Sequence, residues 1–120
     1  MSCNMCILKE DNMKSEIKPN LVETYVLGGI RKYYVNIDVV FDGELWGWEE
    51  IHIPDGHFEY ASIVDALISY KYPIDKMQAV INNYLLDPED AYAVDEFNKM
   101  QAWRKEAKEI AKEALLYELS

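Results

Sequence analysis

Two cysteines and two histidines are the residues whose types and spacing could support metal or redox chemistry. Cys3 and Cys6 form a C-x-x-C pair, while His52 and His57 flank a Pro-Asp-Gly turn. A structural zinc ion needs four such ligands, and a Cys2His2 set exists in composition. The spacing is not that of a zinc finger, and the cysteines do not open a helix after a strand, as a thioredoxin-like pair does. We therefore predict no metal site and no cofactor, and interpret the cysteines as reduced thiols.

The same histidines are the candidates for acid–base catalysis. His52 and His57 lie near Asp55, Glu49 and Glu50 in the sequence, and a histidine beside a carboxylate can transfer protons. No nucleophile with a nearby partner can be assigned to them. Adjacent carboxylates on a strand point to opposite faces, so Glu49 and Glu50 do not form a dyad. We predict that the protein is not an enzyme and has no catalytic residues.

Charge narrows the class of partner. The chain has 120 residues and a formal net charge of −10, and 50% of its residues are hydrophobic. An acidic surface repels the phosphate backbone of nucleic acids and anionic membrane surfaces, so neither is a predicted partner. The sequence has no apolar run long enough to span a membrane and no basic segment of the secretory type at its start. We expect a cytoplasmic protein, or one packaged from a cytoplasm.

The candidate residues must be positioned by an α+β arrangement. Residues 1–20 lack periodicity and are predicted to be a flexible tail, followed by a single domain over residues 21–120. Alternating apolar residues and two turn signals, Gly28-Gly29 and Asp42-Gly43, predict a three-stranded antiparallel β-meander over residues 21–53. Helical spacing predicts three α-helices over residues 58–120, the last one long.

Trp46 and Trp48 form a possible binding surface on the last strand. Alternation places them on one face with Glu50 and His52, while the other face carries apolar residues that would satisfy a core. One interpretation is an aromatic platform for a carbohydrate, a peptide or a neighbouring protein. The alternative is that the helices cover the tryptophans, and we expect at least one of them to lie in the core.

The last helix carries a second candidate surface. Asp87 is predicted to be its N-cap, and the helix continues to Tyr117. An apolar seam recurs at steps of three and four: Met100, Trp103, Ala107, Ile110, Ala114 and Tyr117. Val94 and Phe97 lie off the seam, so we expect an anchored first half and a freely projecting second half. The seam either pairs with another helix, in a homo-oligomer or a larger assembly, or packs on the two earlier helices. We take Met100, Trp103, Ile110 and Tyr117 as partner-binding candidates.

Part of the helical region resembles a group of phage proteins. The run Met77–Leu85, the pair Asp87-Pro88, and Phe97 with the run Met100–Arg104 are similar to small uncharacterised proteins of bacteriophages and prophages. Genes of that group tend to lie among virion and tail genes. The Met-Gln-Ala-Trp-Arg-Lys run is also similar to the closing helix of some tail-fibre-assembly proteins. The resemblance covers the C-terminal half only, and no site residues carry over. It implies a virion component or tail assembly factor, located in the bacterial cytoplasm or the virion.

These observations predict a non-enzymatic protein–protein interaction module, acting in phage virion or tail structure or assembly. Its partners would be virion proteins or a second copy, bound through the C-terminal helix. The alternative is a small acidic regulatory or inhibitory protein that binds a basic surface of a host or phage protein. Clustering of acidic residues on one face would favour that alternative, and their scatter would count against it.

Overall fold

The computed structural model describes residues 12–119, so the predictions made for Cys3 and Cys6 lie outside the described residues. The described chain forms two compact units, a β-sheet unit over residues 12–58 and a helical unit over Glu59–Leu119. The predicted α+β class is confirmed, with a meander, three helices and a long last helix. The sheet contains one more strand than the sequence predicted.

The sheet unit contains four antiparallel strands. They are β1 (Asn12–Ser15), β2 (Val22–Leu27), β3 (Ile30–Phe41) and β4 (Trp46–Ile53), arranged in the order β1-β4-β3-β2. Strands β2, β3 and β4 are the predicted meander. The additional strand, β1, lies within the predicted tail and pairs with the outer edge of β4. Its four residues show no clear alternation of apolar and polar types, so the sequence alone does not predict a strand there. The strand forms because it pairs with β4.

The two hairpin turns are built differently. Gly28 and Gly29 both have positive φ, of 60° and 81°, as a two-residue primed turn requires. The predicted two-residue turn at Asp42-Gly43 is instead a four-residue loop between Phe41 and Trp46. Asp42 Oδ1 accepts the N–H groups of Glu44 and Leu45 in this loop. Side-chain bonds of this kind let an aspartate lengthen a turn.

The two faces of the sheet differ in burial. One face carries the buried apolar residues Val22, Val35, Ile37, Ile51 and Ile53. The opposite face, called the open face below, carries Tyr34, Asn36, Trp48, Glu50 and His52, which cross-strand pairing places in neighbouring positions. The apolar face of β4 is therefore the core face, a question that the sequence left open. Trp46 and Trp48 are only partly buried, so the expectation that one of them lies in the core was wrong.

The helical unit contains α1 (Tyr60–Lys71), α2 (Ile74–Leu86) and α3 (Ala91–Leu119). The predicted N-cap of the last helix was wrong, because α3 starts after Asp90. Asp90 Oδ2 accepts the N–H of Ala93 at 3.0 Å, while Asp87 O accepts the N–H of Asp90 in the preceding turn. The sequence offers capping aspartates at both positions, and the path from α2 into α3 selects the second one.

The buried side of α3 contains four of the six predicted seam residues, Met100, Trp103, Ala107 and Ala114. The buried residues after the first turns are Met100, Trp103, Ala107, Ala111 and Ala114. Ile110 is only partly buried and Tyr117 is 42% exposed, while Ala111, next to Ile110, is fully buried. Burial as far as Ala114 contradicts the expectation that the second half of the helix projects freely.

Candidate functional site

A cleft of about 270 Å³ lies on the open face of the sheet. It is bounded by the segment 17–20 between β1 and β2, and its walls combine aromatic, amide and carboxylate side chains. The lining includes six residues from the four strands: Met13, Glu23, Tyr25, Asn36, Trp48 and Glu50. We call this feature the open-face cleft.

Strand register assembles the cleft from four strands. Asn36 on β3 pairs with Glu50 on β4, and Met13 on β1 pairs with Trp48. Because side chains two residues apart share a face, Trp48 and Glu50 reach the same side of the sheet. Glu23 on β2 pairs with Tyr34, two residues before Asn36, and so joins the same face.

Asn36 is the buried polar residue of the cleft and is only 2% exposed. Its Nδ2 donates to Asn20 O at 2.8 Å, and its backbone N–H donates to Leu21 O at 2.9 Å. The bond to a carbonyl fixes the orientation of the amide, since only the NH₂ group can donate to it. Asn36 Oδ1 is buried and accepts no hydrogen bond within the described part of the chain. An unpaired buried acceptor of this kind costs about 1–3 kcal/mol.

Trp48 presents the complementary case. Its indole Nε1 is buried and donates to no group among residues 12–119. Buried polar groups in proteins are nearly always paired, so each exception needs an explanation. Two residues that line the open-face cleft, Asn36 and Trp48, thus each carry a buried polar atom without a hydrogen bond within residues 12–119.

Negative charge is concentrated in the same cleft. Burial raises the pKa of Glu50, the carboxylate of Glu23 raises it further, and His52 partly offsets the rise. Burial also raises the pKa of Tyr25, with smaller contributions in the same direction from Glu50 and Glu23. Glu23 is held in place because its Oε2 accepts the N–H of Asn20 at 3.1 Å. The arrangement would favour a positively charged group placed between the carboxylates.

Trp46, a predicted binding residue, lies beside basic and aromatic side chains. The Nζ atom of Lys18 lies 5.5 Å from the centroid of the Trp46 ring, within cation–π range. The ring also packs at 5.0 Å against Phe41. Lys18 itself lines the cleft, so its one positive charge partly balances the two carboxylates.

Two of the six cleft residues named above were identified from the sequence. The alternation of β4 placed Trp48 and Glu50 on one face, and the structure confirms that placement. Glu23, Tyr25 and Asn36 were missed, because only the register between β2, β3 and β4 brings them to the same place. The polar Asn36 within the apolar run of β3 was the available signal.

The predicted binding residues of α3 lie in different environments. Met100 is fully buried, and Trp103 is buried with its Nε1 donating to Leu67 O. Ile110 is partly buried and Tyr117 is exposed. The first two residues therefore contribute to the core of the helical unit in the folded chain. The partner-binding role proposed for the set stays a prediction.

His52 and Lys32 both contact the carboxylate of Asp55. His52 Nε2 lies 3.2 Å from Asp55 Oδ1, and Lys32 Nζ donates to Asp55 Oδ2 at 2.6 Å. The hydrogen bond from Lys32 is the main reason why the pKa of Asp55 lies below its ordinary value. Within residues 12–119, no group of three or more histidine, cysteine, aspartate or glutamate side chains is placed to hold a metal ion.

Comparison of the chain with protein-family models, with curated proteins and with solved structures gives no significant match. None of the helices in the described part of the chain is long and apolar enough to cross a membrane. The function is therefore argued from the geometry of the two units.

Proposed function

We propose that this protein is a non-enzymatic protein–protein interaction module that serves a phage in virion or tail structure or assembly. The phage setting rests on the sequence resemblance of the helical region. Its partners are virion proteins or a second copy of the chain, and neither nucleic acid nor a membrane is among them. The observation that carries the interaction role is an exposed apolar corner between α2 and α3.

This corner consists of Leu85, Leu86 and Tyr92, which are 69%, 86% and 71% exposed. Tyr92 lines a groove of about 110 Å³ together with Asn83 of α2. Leu86 follows Asn83 by three residues and so lies on the same side of α2. Large apolar side chains grouped at one exposed corner are typical of protein-binding surfaces. We call this feature the α2–α3 corner.

The surroundings of the α2–α3 corner also suit a protein partner. The loop beside it carries Asp87, Glu89 and Asp90, and all three are exposed. An apolar centre with a charged rim is the usual anatomy of a protein interface, where the centre supplies affinity and the rim supplies orientation.

The test uses a double variant in a phage that carries the gene. Deletion of the gene is expected to give particles with defective tails in electron micrographs, and the wild-type gene should restore them. The variant Leu86→Ser/Tyr92→Ser should fail to restore infectivity although its circular dichroism spectrum matches the wild type. Ile74→Ser is the matched control, because Ile74 is a similarly exposed apolar residue at the other end of α2. Normal tails and titre after deletion would reject the virion and tail role.

The second candidate is a small acidic regulatory or inhibitory protein that binds a basic surface of a host or phage protein. The pairing of Glu23 and Glu50 in one cleft supports it, because clustered carboxylates favour a basic partner. The two candidates differ in where the variant effects fall. The regulatory role predicts that loss of the cleft carboxylates abolishes function while tails assemble normally.

A further inference from the structure

We propose that the open-face cleft binds the guanidinium group of an arginine side chain presented by a partner protein. The inference rests on the proposed function in one respect, namely that the arginine belongs to a protein. Three properties of the cleft lead to it: the sign of its charge, the number and spread of its acceptors, and the unpaired indole donor of Trp48.

The negative charge of the cleft favours a cation as the bound group. Glu23 and Glu50 face the same space, and each is only partly exposed. The opposing positive charge of Lys18 lies over the ring of Trp46. Burial, and after it the neighbouring carboxylates, raise the pKa values of Glu50 and Tyr25. A cation between the carboxylates would offset both effects.

The hydrogen-bond acceptors in the cleft favour a planar ligand group that carries several N–H donors. Asn36 Oδ1, Glu50 and Glu23 lie on three neighbouring strands, β3, β4 and β2. A guanidinium carries five N–H donors in one plane, whereas a lysine ammonium carries three around a single atom. The rings of Trp48 and Tyr25 line the same cleft, and guanidinium groups stack on aromatic faces more readily than ammonium groups do.

The unpaired indole N–H of Trp48 indicates that the guanidinium belongs to a peptide. Trp48 Nε1 needs an acceptor, which a bare guanidinium does not possess. The carbonyl groups beside an arginine side chain in a polypeptide supply one. The cleft volume of about 270 Å³ also lies below the range of about 300–1,000 Å³ usual for small-molecule sites, and so suits a single side chain.

The experiment titrates ¹⁵N-labelled full-length protein with N-acetyl-arginine-amide and follows the indole and side-chain amide resonances. The indole resonance of Trp48 is assigned by its loss in Trp48→Phe. We expect saturable shifts of the Trp48 indole and the Asn36 amide resonances, and no shift of the Trp103 indole, which is bonded to Leu67 O. Absence of a saturable shift at Trp48 would overturn the proposal.

Three probes identify the chemistry that is bound. N-acetyl-citrulline-amide has the same shape without the charge and should bind at least tenfold more weakly. N-acetyl-lysine-amide has the charge without the planar fork and should also bind more weakly. Guanidinium chloride should bind at least about tenfold more weakly than N-acetyl-arginine-amide, because it offers no acceptor to the Trp48 indole N–H. Equal effects from the arginine and citrulline compounds would contradict the requirement for a cation, and equal effects from guanidinium chloride would contradict the peptide source.

Variants locate the site. Glu23→Gln/Glu50→Gln should weaken binding of N-acetyl-arginine-amide by at least about tenfold, because two charge-assisted bonds are lost. Glu16→Gln/Glu44→Gln removes the same charge from exposed positions outside the cleft lining and should leave the affinity within twofold. An equal loss of affinity in both double variants would show that only the net charge of the protein matters. That result would refute the proposed site. A negative titration leaves the test at Leu86 and Tyr92 unaffected, so the two proposals fail independently.

Discussion

The indole Nε1 of Trp103 donates a hydrogen bond to the main-chain oxygen of Leu67 at 3.0 Å, and this buried contact joins α3 to α1. Lys71, one turn further along α1, places its Nζ 4.1 Å from the centroid of the same ring. One side chain thus combines apolar burial, a hydrogen bond and a cation–π contact. Trp103 was singled out in the sequence for its place on a seam, and these contacts explain that place within the fold.

Replacing Trp103 with phenylalanine should lower the free energy of unfolding of the helical unit by about 1–3 kcal/mol. The smaller ring leaves a gap and cannot donate to Leu67 O. Urea denaturation followed by circular dichroism at 222 nm measures the change. Trp46→Phe is the control, since Trp46 is partly exposed and belongs to the sheet unit. A change of the same size in both variants would contradict the role given to the Trp103 contact.

Replacing Glu50 with glutamine should stabilise the protein near neutral pH. The pKa of Glu50 in the folded state lies above its ordinary value, chiefly through burial, so the ionised form is less favourable in the folded state than in the unfolded state. The penalty is therefore present above the folded pKa and absent below the unfolded pKa of about 4.3. Because the group is partly exposed, solvent screening limits the gain to less than about 1 kcal/mol.

Thermal unfolding of wild type and Glu50→Gln across pH 3 to 8 measures this gain. The two melting temperatures should converge as the pH falls through the raised pKa and should separate above it. Glu44→Gln serves as the control for loss of one charge from an exposed position. A melting temperature for Glu50→Gln at or below that of the wild type at pH 7 would show that Glu50 is not destabilised in the cleft.

Replacing Asp90 with alanine should cost about 1 kcal/mol of stability, because Asp90 Oδ2 caps the N–H of Ala93 at the start of α3. Asp90→Ser should recover most of the loss, since a serine hydroxyl can accept the same bond. Asp87→Ala is the matched comparison and should cost less, because Asp87 lies in the preceding turn. Urea midpoints of the three variants rank the positions; a larger loss at Asp87 would restore it as the effective cap.

The positions of individual residues show which features can be predicted from the local sequence pattern. Alternation in β4 correctly placed Ile51 with Ile53 on one face and Trp48 with Glu50 on the other, because a strand has a period of two whatever it pairs with. The sequence left open which face is buried, and the structure shows that it is the face of Ile51 and Ile53. Helical spacing likewise placed Met100 and Trp103 on one seam, and both residues are buried in the structure. Such assignments need only the local backbone geometry, which the sequence carries.

Other features depended on contacts between distant segments. The strand Asn12–Ser15 exists through its pairing with β4. Ala111 is fully buried in place of the predicted Ile110 because of how α3 packs on its neighbours, which the spacing of apolar residues does not specify. Asp90 is the cap in place of Asp87 because of the path that joins α2 to α3.

The sequence by itself determined the α+β class, the meander, the three helices and the face on which each β4 residue lies, since these follow from residue periodicity. The tertiary structure alone decided the open-face cleft. Asn36, Glu23 and Glu50 meet there because the register of β2, β3 and β4 aligns them, and the bond from Asn36 to Asn20 O ties the neighbouring segment to the sheet. Register is a property of paired strands, so no single segment of the sequence could have specified the cleft.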